Sequence, residues 1–175
     1  MIEPVFVDTN VLVYARDAGE RVKQAAAAEW IRRLWIEQTG RTSTQVLSEF
    51  YTTVTRKLSP GLNRDEAWQD VLALLAWEPR EIDPDLLVRA QNVERRFNLS
   101  WWDSLIVAAA QSQSCPILLS EDFQDGMRFD ETTVVNPFTT GVAEARAPYT
   151  ATKPISRHRS RGRPPRKKAP TDVRP

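Results

Sequence analysis

Short apolar runs alternate with amphipathic segments over the first 140 residues. The runs VFVD (5–8) and PILLS (116–120) are rich in aliphatic and β-branched side chains, which is typical of buried strands. A second short strand is predicted to end at TSTQ (42–45). Two further strands are predicted at REID (80–83) and TVVN (133–136).

Apolar residues recur at helical spacing between these strands. Helices are predicted for the segments 10–16, 20–38, 46–58, 63–77, 84–97 and 101–113. Asn63 and Ser100 are suited to begin two of these helices, and the pair Asp83-Pro84 a third. Strands that alternate with helices indicate parallel βα units. The predicted fold class is therefore α/β, a three-layer α/β/α sandwich with a central parallel sheet.

The alternation ends near Ala143. Residues 151–175 contain nine Lys/Arg and one acidic residue, whereas residues 1–150 contain 15 basic and 22 acidic residues. The C-terminal segment is rich in proline and nearly free of large apolar side chains, so it cannot bury enough surface to offset chain entropy. We therefore expect an acidic domain over 1–140 and a disordered, basic Pro/Arg-rich tail over 141–175.

Composition limits the compartment and the cofactors. No apolar run approaches the roughly 20 residues needed to cross a bilayer, and the N-terminus lacks the basic-then-apolar layout of a signal peptide. The single cysteine, Cys115, excludes an intrachain disulfide, and one histidine leaves little chance of a zinc site. We expect a cytoplasmic protein with no membrane partner.

Four acidic residues lie at the ends of predicted elements. Asp8 ends the first strand, and Asp122 follows the strand PILLS. Asp103 and Glu49 lie in the first turns of two predicted helices. Ligands of open parallel sheets bind beyond the carboxyl ends of the strands, so the four carboxylates converge if both helices begin at that edge.

A cluster of four carboxylates needs cations to remain ionised at close range. Oxygen ligands without a His/Cys cluster favour Mg²⁺ or Mn²⁺ over zinc. A site of this kind suits phosphodiester hydrolysis, in which one or two metal ions activate water and hold the phosphate.

Each acid also has a purely structural interpretation. Asp8 or Asn10 can cap the helix that follows the first strand. The segment Ser100–Asp103 fits a capping box, Glu49 fits a solvated position beside an apolar stripe, and Asp122 fits an ordinary loop acid. The hypothesis of a metal site therefore depends on the four acids as a set.

Four segments resemble the PIN-domain ribonucleases, in particular the VapC-type toxins of type II toxin–antitoxin pairs. They are VDTNVLVYA, LSEFYTTVTRK, WWDSLIVAAA and LLSEDFQDG, in the order found in that family, and the resemblance covers roughly residues 4–138. It implies helices around a parallel sheet and Mg²⁺- or Mn²⁺-dependent cleavage of RNA. It also implies a homodimer and a cognate antitoxin that blocks the acidic pocket.

The resemblance assigns roles to individual residues. The catalytic and metal-binding positions are Asp8, Glu49, Asp103 and Asp122, with Thr9 and Asn10 beside the first acid to orient it. Lower-ranked candidates for the same site are Asp125 and Ser104. Residues that could contact RNA are Arg41, Arg95, Arg96 and Trp102, although solvated helix ends and core packing explain such residues equally well.

The C-terminal tail departs from the family pattern, because VapC-type proteins usually end near the last strand. Its segment RGRPPRKK resembles an AT-hook, whose arginines bind the narrow minor groove of A·T-rich DNA. The simpler interpretation is that a basic tail raises non-specific affinity for any polyanion, RNA included, and we favour it.

The sequence therefore predicts a Mg²⁺-dependent endoribonuclease that is the toxin of a toxin–antitoxin pair. One alternative is a nucleic-acid-binding protein whose acids are structural and whose AT-hook-like tail is functional. Another is a PIN nuclease for RNA processing with no toxic role. A phosphotransferase of the haloacid dehalogenase type is disfavoured, because Asn10 stands where that chemistry needs a second Asp.

Overall fold

A five-stranded sheet forms the centre of the computed structural model, which describes residues 3–139. Its strands are β1 (Val5–Val7), β2 (Gly40–Arg41), β3 (Ile117–Leu119), β4 (Arg128–Phe129) and β5 (Thr132–Val135). The spatial order is β2-β1-β3-β5-β4. The pairs β1–β2, β1–β3 and β3–β5 are parallel, and β4 is antiparallel to β5.

Six α-helices surround the sheet in this part of the chain. They are α1 (Thr9–Tyr14), α2 (Arg21–Glu37), α3 (Thr44–Arg56), α4 (Arg64–Leu74), α5 (Pro84–Phe97) and α6 (Trp101–Ser112), and a 3₁₀ turn at Leu75–Trp77 extends α4. The predicted α/β/α sandwich and all six predicted helices are confirmed. No helix within residues 3–139 is both long enough and apolar enough to cross a membrane.

Side-chain caps fix where the helices begin. Asn63 accepts a hydrogen bond from the Glu66 amide at 2.9 Å, and the Glu66 carboxylate accepts one from the Asn63 amide at 3.2 Å, which completes a capping box. Asp83 caps α5 by accepting from the Leu86 amide, and Ser100 caps α6 by accepting from the Asp103 amide, with Pro84 at the first helical position of α5. These three predicted helix starts are therefore confirmed.

One prediction about the sheet is wrong. The segment REID (80–83) is not a strand, because Arg80 forms only an isolated parallel bridge with Ser43 before Asp83 caps α5. The predicted central parallel sheet is confirmed, and a further strand that was not predicted, β4, pairs antiparallel with β5. A strand of two residues is too short to show a periodic pattern.

The core is continuous around the central strands. Phe6, Leu118 and Val134 are fully buried, one on each of the three middle strands of the sheet. Helix α6 is buried at every residue from Asp103 to Ala110, as expected of a helix enclosed by other elements. The first turn of α6 lies toward the carboxyl edge of the sheet, because its last turn leads into the start of β3.

Among the tryptophans of the outer helices, Trp30 and Trp77 are buried in the core, whereas Trp35 and Trp68 are exposed. The buried thiol of Cys115 lies just before β3. The basic tail predicted for 141–175, with its AT-hook-like segment and His158, lies outside the described residues.

We expect Gly40→Ala to destabilise the fold, because an added Cβ would overlap the buried indole ring of Trp77. Overpacking of this kind costs about 1–3 kcal/mol, which lowers the melting temperature by several degrees. Thermal unfolding followed by circular dichroism measures the change. Gly19→Ala is the matched control, since its added Cβ would meet only the flexible Asp17 carboxylate. Equal melting temperatures for the two variants would contradict the packing described here.

We expect Cys115 to resist thiol reagents in the folded protein. Burial raises its pKa to about 12 despite a nearby Arg41 that lowers it, so roughly 10⁻⁴ of the thiols are ionised at pH 8. Absorbance with Ellman's reagent should show almost no reaction in buffer and one thiol per chain in guanidinium chloride. Rapid reaction in buffer would mean that the segment before β3 opens readily.

Candidate active site

Asp8 is a fully buried carboxylate at the carboxyl end of β1. It accepts three hydrogen bonds, from the Thr9 amide at 2.7 Å, from the Ser120 hydroxyl at 2.8 Å and from Asn10 Nδ2 at 3.3 Å. These donors offset the desolvation of the carboxylate. Asp8 is also the N-cap of α1, so the structural role proposed for it from the sequence is present as well.

Ser120 connects Asp8 to the loop that follows β3. Its hydroxyl donates to Asp8 and accepts from the Asp122 amide at 3.1 Å and from Asn10 Nδ2 at 3.2 Å, which uses its full hydrogen-bonding capacity. Asn10 Oδ1 in turn accepts from the Glu121 amide at 3.3 Å. These bonds hold the loop that carries Asp122 against the end of β1.

The sequence analysis missed Ser120, although a signal was present. Val7 pairs with Leu119 in the parallel register of β1 and β3, so the next residues, Asp8 and Ser120, lie side by side. A polar residue after each of two neighbouring parallel strands marks such an edge, but which strands are neighbours is decided only by the fold.

Glu49 lies in the second turn of α3, with each carboxylate oxygen held by a different side chain. Oε1 accepts from Gln45 Nε2 at 2.9 Å, and Oε2 accepts from Thr9 Oγ1 at 3.2 Å. Gln45 is buried and also donates to the backbone carbonyl of Trp102 at 3.4 Å. Glu49 is thus half-buried and oriented, not a freely solvated helix residue. Gln45 was also missed from the sequence, although it precedes Glu49 by one helical turn.

Asp103 is buried in the first turn of α6. Its amide donates to Ser100 Oγ at 3.2 Å, and its Oδ2 accepts from the same hydroxyl at 2.7 Å. Ser104 is fully buried and donates to the Ser100 carbonyl at 2.8 Å, so its hydroxyl braces the start of α6. Gln45, which donates to Glu49, also donates to the backbone carbonyl of Trp102, the residue before Asp103.

Several candidates make hydrogen bonds or ion pairs with residues other than these acids. Asp125 Oδ1 accepts from the Asn136 amide at 2.8 Å and braces the loop before β4. Arg96 makes a two-pronged ion pair with Asp130, at 2.8 and 3.0 Å. Gln111 contacts the same Asp130 from the last turn of α6, eight residues or about 12 Å along that helix from Asp103.

The other two arginine candidates, Arg41 and Arg95, lie on different elements from the four acids. Arg41 donates to the Gly40 carbonyl at 2.8 Å and lies 3.8 Å from a carboxylate oxygen of Glu78. Arg95 is exposed in the last turn of α5. Trp102, by contrast, lies beside Asp103 and is half exposed.

An open groove of about 1260 Å³ runs along α3 beside the acids. Its charged lining residues are Asp17, Glu49, Lys57, Glu121 and Asp122, and we refer to it as the acidic groove. Four carboxylates against one ammonium group give it a negative potential, which attracts cations and repels phosphate.

Lys23 is not a lining residue of the groove, but it neutralises part of this charge by pairing with Glu121. Its ammonium group donates to Glu121 at 2.6 Å and to the Tyr14 hydroxyl at 3.0 Å, and lies 4.3 Å from the centroid of the Tyr14 ring. Burial alone would lower the pKa of Lys23, but the bonds to Glu121 and Tyr14 outweigh burial and raise it. Phe138 packs edge-on against Tyr14 at 5.0 Å, so the chain reaches the end of its described part beside the acidic groove.

The donor set of the site fits a hard divalent cation. Carboxylate, hydroxyl and amide oxygens are present, and no histidine or cysteine contacts them in the described part of the chain. Within residues 3–139 no group of three or more acidic, histidine or cysteine side chains is placed so that it could hold a metal ion. Mg²⁺ is commonly held by one or two carboxylates and several waters, so the donor set suits it.

Comparison with known proteins agrees with this architecture. No curated protein matches the sequence. The chain is similar to the crystal structure of Mycobacterium tuberculosis VapC20, a sarcin-ricin loop cleaving toxin, with 22% identity and a TM-score of 0.48 over 65% of this chain and 86% of that chain. The model of the PIN domain family matches residues 5–131, which is most of the chain. The protein therefore belongs to the PIN-domain family, as its four sequence motifs predicted.

Proposed function

We propose that this protein is a divalent-metal-dependent endoribonuclease and the toxin of a toxin–antitoxin pair. The observation that carries the proposal is the buried Asp8 carboxylate, which hydrogen bonds connect to the loop of Asp122 and, through Thr9, to Glu49. Fully buried aspartate is rare unless it is paired or binds a metal. Its place at the carboxyl edge of a parallel sheet, in a PIN domain, supports a catalytic role.

Mg²⁺ or Mn²⁺ would be held by Asp8 and Asp103 with contributions from Glu49 and Asp122. When bound, such an ion supplies a water of lowered pKa and neutralises charge on the scissile phosphate. The protein's own contribution is orientation. Ser120 and Asn10 fix the Asp8 carboxylate, whereas Gln45 and Thr9 fix that of Glu49.

The attacking group in this proposal is water. Within residues 3–139 no serine, threonine or cysteine of the network has a histidine or lysine base beside it, and the Ser120 hydroxyl donates its proton to Asp8. Water forms the new P–O bond, the bond to the leaving oxygen breaks, and the leaving oxygen takes a proton. No covalent enzyme intermediate forms.

The partners follow from the resemblance to VapC-type toxins and from the charge of the acidic groove. We propose an RNA substrate, a homodimer, and an antitoxin that covers the acids. An antitoxin that enters a groove with four carboxylates and one lysine must present positive charge to it. A basic segment is therefore the expected inhibitory element.

The basic tail supplies the positive charge that the groove lacks. Residues 151–175 have nine basic side chains, and they follow Phe138, which packs on the groove residue Tyr14. A tethered polycation raises the local concentration of RNA near the site. We propose that the tail binds the RNA backbone without sequence preference.

We expect Asp8→Asn to reduce cleavage of RNA by at least about 100-fold, because a ligand and an oriented negative charge are lost. Discrete 5′ ends in total RNA, and growth after induction, measure the effect. Chelation with EDTA should abolish cleavage by the wild type, and added Mg²⁺ or Mn²⁺ should restore it.

The matched control for this prediction is Asp65→Asn, an exposed acid in the first turn of α4. It should cleave RNA like the wild type, and both variants should keep the wild-type circular dichroism spectrum. Full toxicity of Asp8→Asn, or cleavage that persists in EDTA, would contradict the mechanism. RNA binding without any cleavage would instead favour a nucleic-acid-binding protein with structural acids.

We expect replacement of Arg161, Arg163 and Arg166 by glutamine to weaken RNA binding at low salt. The slope of log affinity against log salt should become shallower by about 2, since each phosphate contact to a single strand contributes roughly 0.7. Fluorescence anisotropy over a salt series measures both quantities. The same three positions changed to lysine preserve the charge and should bind RNA like the wild type. A loss with lysine, together with preference for A·T-rich duplex DNA, would support an AT-hook instead.

A further inference from the structure

Trp102 is the one aromatic side chain that lines the acidic groove with half of its surface exposed, within the part of the chain that the structure describes. The two residues that follow it, Asp103 and Ser104, are buried. Helix α6 therefore places a large apolar ring at the groove and a carboxylate of the site on consecutive residues. An exposed tryptophan beside a polar site marks a contact surface for a ligand with a flat, apolar face.

The backbone of Trp102 is fixed by the same side chain that fixes Glu49. Gln45 Nε2 donates to the Trp102 carbonyl at 3.4 Å and to Glu49 Oε1 at 2.9 Å. Gln45 is itself buried, so this amide forms a rigid connection between α3 and the start of α6. The backbone that carries the indole ring is thus held by two helices and not by a loop.

A second apolar side chain lines the groove from the segment before α5. Ile82 is exposed over 43% of its surface, and it lines the same groove as Trp102. The lining also includes the hydroxyl-bearing Ser48 and Thr52 of α3, which donate to backbone carbonyls one turn earlier. A ligand for this region combines an apolar face with a polar edge.

We propose that Trp102 stacks on the unpaired nucleobase next to the scissile phosphate. This inference rests on the proposed function, because it places the phosphate at the acids. A nucleotide has the required combination of a flat face, a polar edge and an attached phosphate. In a duplex each base face is covered by its neighbours, whereas an unpaired base is free to stack on an aromatic side chain.

The size of the effect can be estimated from other single-strand binding proteins. Removal of one stacked aromatic side chain weakens binding by roughly 5- to 150-fold, largely independent of which base is stacked. Trp102 therefore selects for strandedness and for position along the strand, whereas base identity is selected by other contacts. If Trp102 contacted a protein segment instead of a nucleobase, replacing it would not change the preference of the protein for single-stranded over duplex RNA. This difference distinguishes the two kinds of ligand by experiment.

The test measures binding in Mg²⁺ with the full chain carrying Asp103→Asn, so that the RNA stays intact. In this background Trp102→Ala should weaken binding of a fluorescein-labelled single-stranded RNA by roughly 5- to 150-fold. Trp102→Phe should retain most of the affinity. Binding of a blunt RNA duplex should be the same for all three proteins. Trp68→Ala removes an equally exposed tryptophan from α4 and should have no effect.

An abasic scan identifies the stacked position. Single abasic sites placed along the oligonucleotide should weaken binding at one position, and at that position Trp102→Ala should cause no further loss. Additive losses at every position, or equal losses on duplex and single strand, would overturn the proposal. So would a Trp102→Ala protein that differs from its parent only in antitoxin affinity.

Base stacking on Trp102 and cleavage of RNA are tested separately. If the otherwise wild-type chain cleaves RNA and Trp102→Ala has the same kcat/KM on single-stranded and looped substrates, base stacking is refuted and the nuclease stands. If no cleavage is found but the single-strand preference and its abasic position depend on Trp102, the binding role stands and the nuclease is refuted.

Discussion

The hydrogen bond from the Ser120 hydroxyl to the Asp8 carboxylate, 2.8 Å long, is the interaction on which the site depends. It joins the carboxyl ends of the two central strands, β1 and β3, and supplies one of the hydrogen bonds that offset the burial of the Asp8 carboxylate. The same hydroxyl accepts from the Asp122 amide and from Asn10, so the end of one strand fixes the loop after the other. The orientation of the Asp8 carboxylate therefore depends on the pairing of β1 with β3.

The candidate site residues also have structural roles. Asp8 caps α1 through the Thr9 amide while its other oxygen accepts from Ser120 and Asn10. Asp103 exchanges hydrogen bonds with Ser100 at the start of α6. A helix N-terminus provides free amides and favours negative charge, so the position that caps a helix is also suited to hold an oriented carboxylate. The two interpretations of the acids that the sequence left open are therefore compatible.

Charge divides the sequence into two parts. Residues 1–150 have a net charge of −7 and residues 151–175 one of +8. Of the described residues that line the acidic groove, Lys57 alone is basic, and Lys23 is committed to Glu121 and Tyr14. A site of this kind concentrates divalent cations but gains little from RNA by charge alone. The proposed stacking on Trp102 and the proposed binding by the basic tail would both hold RNA without weakening the attraction for cations.

The sequence by itself determined the elements and the candidate acids. The signals that predicted the elements are local, because each depends on residues within a few helical turns or one strand. They are the helical spacing of apolar residues, the β-branched runs and the helix caps Asn63, Asp83 and Ser100. Tertiary structure alone decided which of these groups meet. Ser120 and Asp8 are 112 residues apart in the sequence, Arg96 and Asp130 are 34 residues apart, and Gln45 is 57 residues from the Trp102 carbonyl to which it donates. Tertiary structure also decided that REID forms no strand and that β4 pairs with β5. Contacts at such separations depend on strand order and register, about which a local pattern contains no information.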